Sequence, residues 1–258
     1  MRLDKINIKA KIASSRKLTK KATKRTFSFY RRGRKLLLYL AQYLIDKRNN
    51  SDDQKYEEAA LHLINKLFQH GESVKLLVET GLYGDAMTIM RSVISSMNML
   101  YYLHYQPKFI DDFLKETKDS YQENSSFKSK FNESEINKCL VRHDMPSGQE
   151  AFNLMSKGTH ASAYGGQLFC SVHGNNAHMK YAPGFEASKL AAFTSILVAF
   201  HWDIVTIMLW HRHSNSLSLA EKEWRSIIRR QGALGRRVKP LSDAAMMLFY
   251  VFSDKEGR

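Results

Sequence analysis

The first 106 residues contain no proline; the chain's four stand at positions 107, 146, 183 and 240. With 13 glycines besides, turn formers number 17 in 258 residues, where average usage would give about 12% of a chain. A sandwich of many short strands needs a turn every ten residues or so, and collagen needs glycine at every third position. Neither can be written with this composition. Long helices can. At 43% hydrophobic and 25% charged the chain is globular rather than disordered, and its length suits one sizeable core. The expected fold class is all-α: a single helical bundle with an extended basic N-terminal arm.

Periodicity places the helices. From Leu36 the text LLLYLAQYLIDK reads as a helix, broken at Asn49, Asn50 and Ser51, where Ser51 and Asp52 offer a cap for the next. Over 52–80, Leu61, Ile64, Leu67, Phe68, Val74, Leu77 and Val78 recur at steps of three and four. Gly81 and Gly84 flank a turn, with Asp85 as candidate cap. A second helix then runs to about Tyr105, with Met90, Val93, Ile94, Met97 and Leu100 on its inner face. So short a turn predicts an antiparallel pair. Shorter helices are expected near 108–121, 134–143, 148–157, 217–231 and 241–252. Residues 158–185, with five glycines, Pro183 and three histidines, are expected as a long loop. Leu190–Trp210 is apolar enough to test as a membrane span. His201 and Asp203 near its middle point to opposite sides of a helix, and an aspartate at mid-bilayer costs about 2.5–3.5 kcal/mol. A buried core helix is the expectation.

Charge is segregated. The formal net is +15, yet residues 1–35 hold 14 basic residues against Asp4 alone, leaving the other 223 near neutrality. The expected division is therefore a basic arm, 1–35, and a bundle domain, 36–258. A block of like charge repels itself and stays extended until it meets a polyanion. That partner is nucleic acid, an anionic membrane surface or an acidic protein. The candidate contacts are Lys17, Lys20, Lys21, Lys24, Arg25, Arg31, Arg32, Arg34 and Lys35. Phe27, Phe29 and Tyr30 lie among them, where rings can stack on bases or can begin the first core helix. A second basic run, RSIIRRQGALGRRVK at 225–239, adds Arg229, Arg230, Arg236 and Arg237. It reads either as more of that surface or as cations at a helix end. No apolar stretch follows the first basic residues, so a secretory signal is not expected; a transit peptide fits the composition. Two cysteines, Cys139 and Cys170, without a C-x-x-C pair suit a reducing compartment.

Within the bundle two features resist a packing explanation. Arg91, Ser95, Asn98 and Tyr102, spaced i, i+4, i+7 and i+11, make a polar stripe. It is either an anion clamp or a face on which Arg91 pairs with an acid such as Asp112. The segment SKGTHASAYGG, 156–166, sets Ser156 and His160 in a glycine-flanked stretch. Histidine suits acid–base work near neutrality, but residues 151–185 contain no carboxylate to orient a Ser–His pair. Histidines 160, 173, 178, 201, 211 and 213, with Asp203, could supply metal ligands, yet no spacing matches a known metal motif. No metal and no cofactor are expected.

The run LLVETGLYGDAMTIMRSVISSMNMLYYL at 76–103, followed by MSKGTHASA at 155–163, resembles a family of uncharacterised bacterial helical proteins. Those proteins often occur beside mobile elements or defence genes. The shared marks are Gly84, Ala86, the Arg91-Ser92 pair, and Ser156 with His160. Where the family has a glutamate soon after the arginine, this chain has Ser95 and Ser96. The family in turn looks distantly like HEPN ribonucleases, whose mark is an arginine four to six residues before a histidine; none of the ten histidines here has one. The resemblance implies Arg91, His160 and Ser156 as catalytic residues if the chain cleaves phosphodiesters. The expected function is nucleic-acid binding, RNA before DNA, by a cytoplasmic component of a bacterial defence or toxin module. The alternatives are a nuclease using His160 and Arg91, and a non-catalytic scaffold on a protein or membrane surface. Nucleic acid is the expected partner; a protein encoded nearby and a second copy of the chain stay open, and a membrane is disfavoured.

Overall fold

The computed structural model describes residues 7–46, 54–115, 130–143, 170–173 and 176–179. Between 190 and 233 it describes positions 190, 193, 194, 197, 201, 204–209, 211, 222 and 225–233. Its architecture is the expected all-α bundle. Helix α1 spans Ile8–Asp46, α2 Gln54–Thr80 and α3 Tyr83–Tyr105. A 3-10 turn, Pro107–Phe109, leads into the short α4, Ile110–Leu114, and α5 covers Glu133–Arg142. The described positions from 190 to 211, and 225–233, are helical too.

The stretch 8–35 expected as an extended arm is instead the greater part of α1, and the expected division between 35 and 36 falls inside that unbroken helix. Asn7 caps it, its side chain accepting from the Ala10 amide at 2.9 Å. Lys and Arg are good helix formers, and no proline interrupts them. Inward positions then repeat at steps of three and four: Ser15, Thr19, Thr23, Phe27, Tyr30, Gly33, Leu37, Leu40 and Leu44, all buried. Like charges at i,i+4 cost about 0.2–0.5 kcal/mol a pair. Each fully buried leucine returns about 1.5–3 kcal/mol, so the helix wins.

Helix α2 lies antiparallel to α1. Lys75 stands over the Phe27 ring, Tyr30 donates to Glu72 at 2.8 Å, and the Arg34 guanidinium covers the Phe68 ring. Helix α3 returns antiparallel to α2, for the Tyr56 hydroxyl at the start of α2 donates to the Leu100 carbonyl near the end of α3. The turn between them is tight because Gly81 takes φ 80°, a conformation that glycine adopts without strain. Asp85 is not the cap of α3 as expected. It sits in the first turn, and the capping position is Leu82, because Gly81 already redirects the chain.

The core gathers α1 from Phe27 on, α2, α3 and the 190–211 segment, of which Leu190, Phe193, Leu197, Ile204, Val205, Ile207 and Met208 are buried. This is the core helix expected there, and no described helix is long and apolar enough to cross a membrane. His201 enters that core. It meets the Tyr30 ring edge-on, places Nδ1 2.8 Å from the Leu197 carbonyl, and presses Cβ on Gly33 so closely that a methyl group there would stand 2.8 Å away. Gly33 is thus the residue that lets two helices touch. A satellite cluster of Tyr102, Ile136, Cys139 and Leu140 joins α3 to α5. The region expected as a loop carries a two-stranded antiparallel ladder, β1 (Cys170–His173) with β2 (Asn176–Met179), in register from Cys170 with Met179 to His173 with Asn176. The helix expected at 148–157 lies outside the described residues.

Candidate nucleic-acid interface

Helix α1 sorts its residues by side. Its inward stripe is buried, and the cations fall opposite. Lys17, Lys20, Lys21, Lys24, Arg31, Arg32 and Lys35 are all exposed. At 100° per residue these seven fit within an arc about 120° wide. Lys17, Lys24 and Lys35 run along its middle, Lys20 and Arg31 along one side, Lys21 and Arg32 along the other. From Lys17 to Lys35 the arc is about 27 Å long at 1.5 Å per residue. The single acid of α1 is Asp46, at its far end. A set of like charges on one rigid face makes a local positive potential that the near-neutral remainder of the chain does not cancel.

Not every cation named from the sequence belongs to this face. Arg34 turns to the α2 side, where it bridges Glu72 at 3.2 Å. Glu72 thereby serves two partners; burial first, and then this carboxylate, hold the Tyr30 hydroxyl protonated well above the ordinary tyrosine range. The Arg25 side chain lies outside the described residues. In the second basic run, Arg229 and Arg230 are exposed on the 225–233 helix, while Arg236 and Arg237 lie outside the described residues.

That second helix does fold beside α1. Ile227 is buried in the main core, Gln231 donates to Thr206 at 2.9 Å, and the Arg230 guanidinium sits 4.8 Å from the centre of the Tyr39 ring. Arg32, Lys35 and Tyr39 are spaced i, i+3 and i+7 on α1, hence one face. Arg230 therefore joins the edge of the cationic arc at its Arg32–Lys35 end. At the other end, a groove of about 590 Å³ runs along the opposite flank, lined among the described residues by Lys9, Ile12, Ala13, Arg16, Lys17 and Lys20. This is the flank that α2 covers further along α1.

The aromatic residues among the cations do not serve the interface. Phe27, Phe29 and Tyr30 are 8%, 7% and 2% exposed, packed in the main core. Of the two roles left open for them, they begin the core, because the helical register turns them inward while Lys24, Arg31 and Arg32 turn out.

Two residues of the polar stripe of α3, Ser95 and Tyr102, find structural partners. Ser95 donates to Glu133 at the start of α5. Tyr102 donates to the Lys130 carbonyl at 3.0 Å and stacks on Phe109, and Asn98 is buried. Asp112, named as a partner for Arg91, instead holds Lys130 at 2.7 Å. Glu133 thus stands in space beside Ser95, where the sequence shows no glutamate. Arg91 is half-buried on the same helix; Ser156 and His160, the other two residues of the expected catalytic trio, lie outside the described residues.

One cluster went unseen in the sequence. His104 and the buried His211 face each other with Nδ1 atoms 3.1 Å apart, and His211 stacks on Tyr56 at 3.6 Å. Tyr105 lies edge-on to His104 and stacks on His143. His211 was considered only as a metal ligand; among the described residues no three His, Cys, Asp or Glu side chains converge to hold a metal ion. Standing 107 positions apart, the two histidines give no local signal. Comparison with family models, with curated proteins and with solved structures finds no match.

Proposed function

We propose that the chain binds nucleic acid through the outward face of α1. The observation that carries this is the arc of seven exposed cations on one rigid helix, with no carboxylate of that helix before Asp46. Lysine and arginine at such a face neutralise phosphates and release the counterions condensed on them, which makes binding steeply salt-dependent. Arg230, docked on Tyr39, extends the face beyond α1. The narrower assignment, RNA within a bacterial defence or toxin module, rests on the sequence resemblance of 76–103 and 155–163.

A salt series on the full chain tests it. With six or seven phosphates engaged, affinity falls about a thousandfold between 50 and 200 mM salt. Replacing Lys17, Lys20, Lys21 and Lys24 together by Gln lowers the slope of log K against log salt by about three to four. These side chains are exposed, so the circular dichroism spectrum stays that of the parent. Affinity indifferent to salt, or a quadruple variant that binds as the parent does, overturns the proposal.

A further inference from the structure

We infer that this face is built for a double-stranded nucleic acid, held by its phosphates and without sequence preference. The inference rests on the nucleic-acid reading above. Proteins that hold single strands without regard to sequence stack successive bases on exposed aromatic rings, worth about 1–3 kcal/mol per base. Helix α1 carries five aromatic residues. Phe27, Phe29, Tyr30 and Tyr43 are buried, and the fifth, half-buried Tyr39, lies beneath the Arg230 guanidinium. The helix therefore offers cations for a backbone and no platform for an unstacked base.

The shape of the arc points the same way. Its cations lie along an unbroken helical stretch about 27 Å long, the rise of about eight base pairs at 3.4 Å each. A flexible strand would lose conformational freedom to follow that line, whereas a duplex already keeps its phosphates in straight, dense register, one charge per about 1.7 Å of axis. The two flanking rows, Lys20 with Arg31 and Lys21 with Arg32, lie either side of the middle row. A helix about 10–12 Å across that presents cations on both sides suits two phosphate walls, as at a duplex groove about 12 Å wide. Five of the seven cations are lysines, compact point charges with rotatable donors rather than planar forks that read guanine edges.

The test is a competition at one ionic strength, using the full chain and short probes of a single sequence: duplex DNA, duplex RNA, single-stranded DNA and single-stranded RNA. A duplex of scrambled sequence is the fifth probe. One or both duplexes bind about fivefold or more tighter than the matching single strands. The salt slope is about −6 on duplex against about −5 on single strand, following about −0.9 and −0.7 per phosphate. The scrambled duplex binds as the original does. Single strands that bind as tightly as duplexes, or a scrambled duplex that loses tenfold, overturn this inference while leaving nucleic-acid binding standing. Failure of every probe to bind, or binding without salt dependence, overturns the nucleic-acid reading itself.

Discussion

The two halves of α1 share one helix and one inward stripe, yet they bury different chemistry. Before Phe27 the stripe is Ser15, Thr19 and Thr23; after it come Tyr30, Leu37, Leu40 and Leu44. The main core begins at Phe27 and takes in nothing earlier from α1 among its buried residues. The geometry of α2 explains where the change falls. An antiparallel neighbour that meets Phe27 at Lys75 and Arg34 at Phe68 reaches its end, Thr80, near Ala22. The first half of α1 thus runs past α2, beside the groove that Lys9, Arg16, Lys17 and Lys20 line. Anchoring and charge are divided along a single element. The second half is held by the core, and the first half holds its cations in place by continuing that helix.

The largest effect that would break this division is a cavity in the anchoring half. Leu40 is fully buried, so Leu40→Ala costs about 2–5 kcal/mol through lost transfer energy and the void left behind. Urea unfolding measures it. Ser15→Ala in the first half costs nothing and gains up to about 1 kcal/mol, because it removes a buried hydroxyl with no partner among the described residues and no packing volume. Comparable losses from both would mean that the halves are anchored alike.

Acid sharpens the same contrast, since the titrating group, His201, packs against the second half at Tyr30 and Gly33. Burial, reinforced by the charge of Arg34 and partly offset by the bond to the Leu197 carbonyl, lowers His201 from the ordinary 6.5 to about 4. The unfolded chain therefore takes up a proton that the folded core refuses. His201 costs no stability above pH 6.5, and stability falls as pH drops from about 6.5 to 4, by about 3 kcal/mol in full. His201→Phe keeps a ring against Tyr30 and removes the proton. Stability of the parent drops across that window, and the variant's curve stays flatter by about 3 kcal/mol. Parallel curves would show that His201 takes its proton without leaving the core.

These two regions also show what a sequence discloses. The α2–α3 pair was legible because Ile64, Leu67, Val74, Val78, Met90, Val93, Ile94 and Leu100 are apolar and periodic, and all of them are buried. The start of α1 was not. Its inward stripe is written in serine, threonine and glycine, the residue types of loops, so an apolar period appears only from Leu36. Carried back with steps of three and four, the stripe passes through Gly33, Tyr30 and Phe27 to Ser15. Only the approach of His201, distant in sequence, gives Gly33 its purpose. The cations of the interface were legible one by one, whereas their common arc was not. A run of rings flanked by basic residues reads the same for a stacking platform and for an amphipathic helix, and only the helical register separates them. The pairing of His104 with His211 depends wholly on tertiary packing, and no local pattern announces it.

The smallest effect tests the first half directly. The Thr19 hydroxyl is fully buried, and among the described residues it has no hydrogen-bond partner, as the Ser15 hydroxyl has none. Thr23, one turn later, satisfies itself by donating to the Thr19 carbonyl at 2.6 Å. A buried hydroxyl without a partner costs about 1–3 kcal/mol in desolvation, and valine has nearly the shape of threonine without that cost. Thr19→Val therefore leaves the chain as stable as the parent or raises it by about 1 kcal/mol, with valine's slightly stiffer helical rotamer taking back a few tenths. Thr23→Val, which removes a satisfied hydroxyl, gains nothing or loses about 1 kcal/mol. The sign of the difference between the two variants, read from their denaturant midpoints, carries the argument. If Thr19→Val destabilises more than Thr23→Val, the Thr19 hydroxyl holds a contact that stabilises the first half, and that half has an anchor of its own.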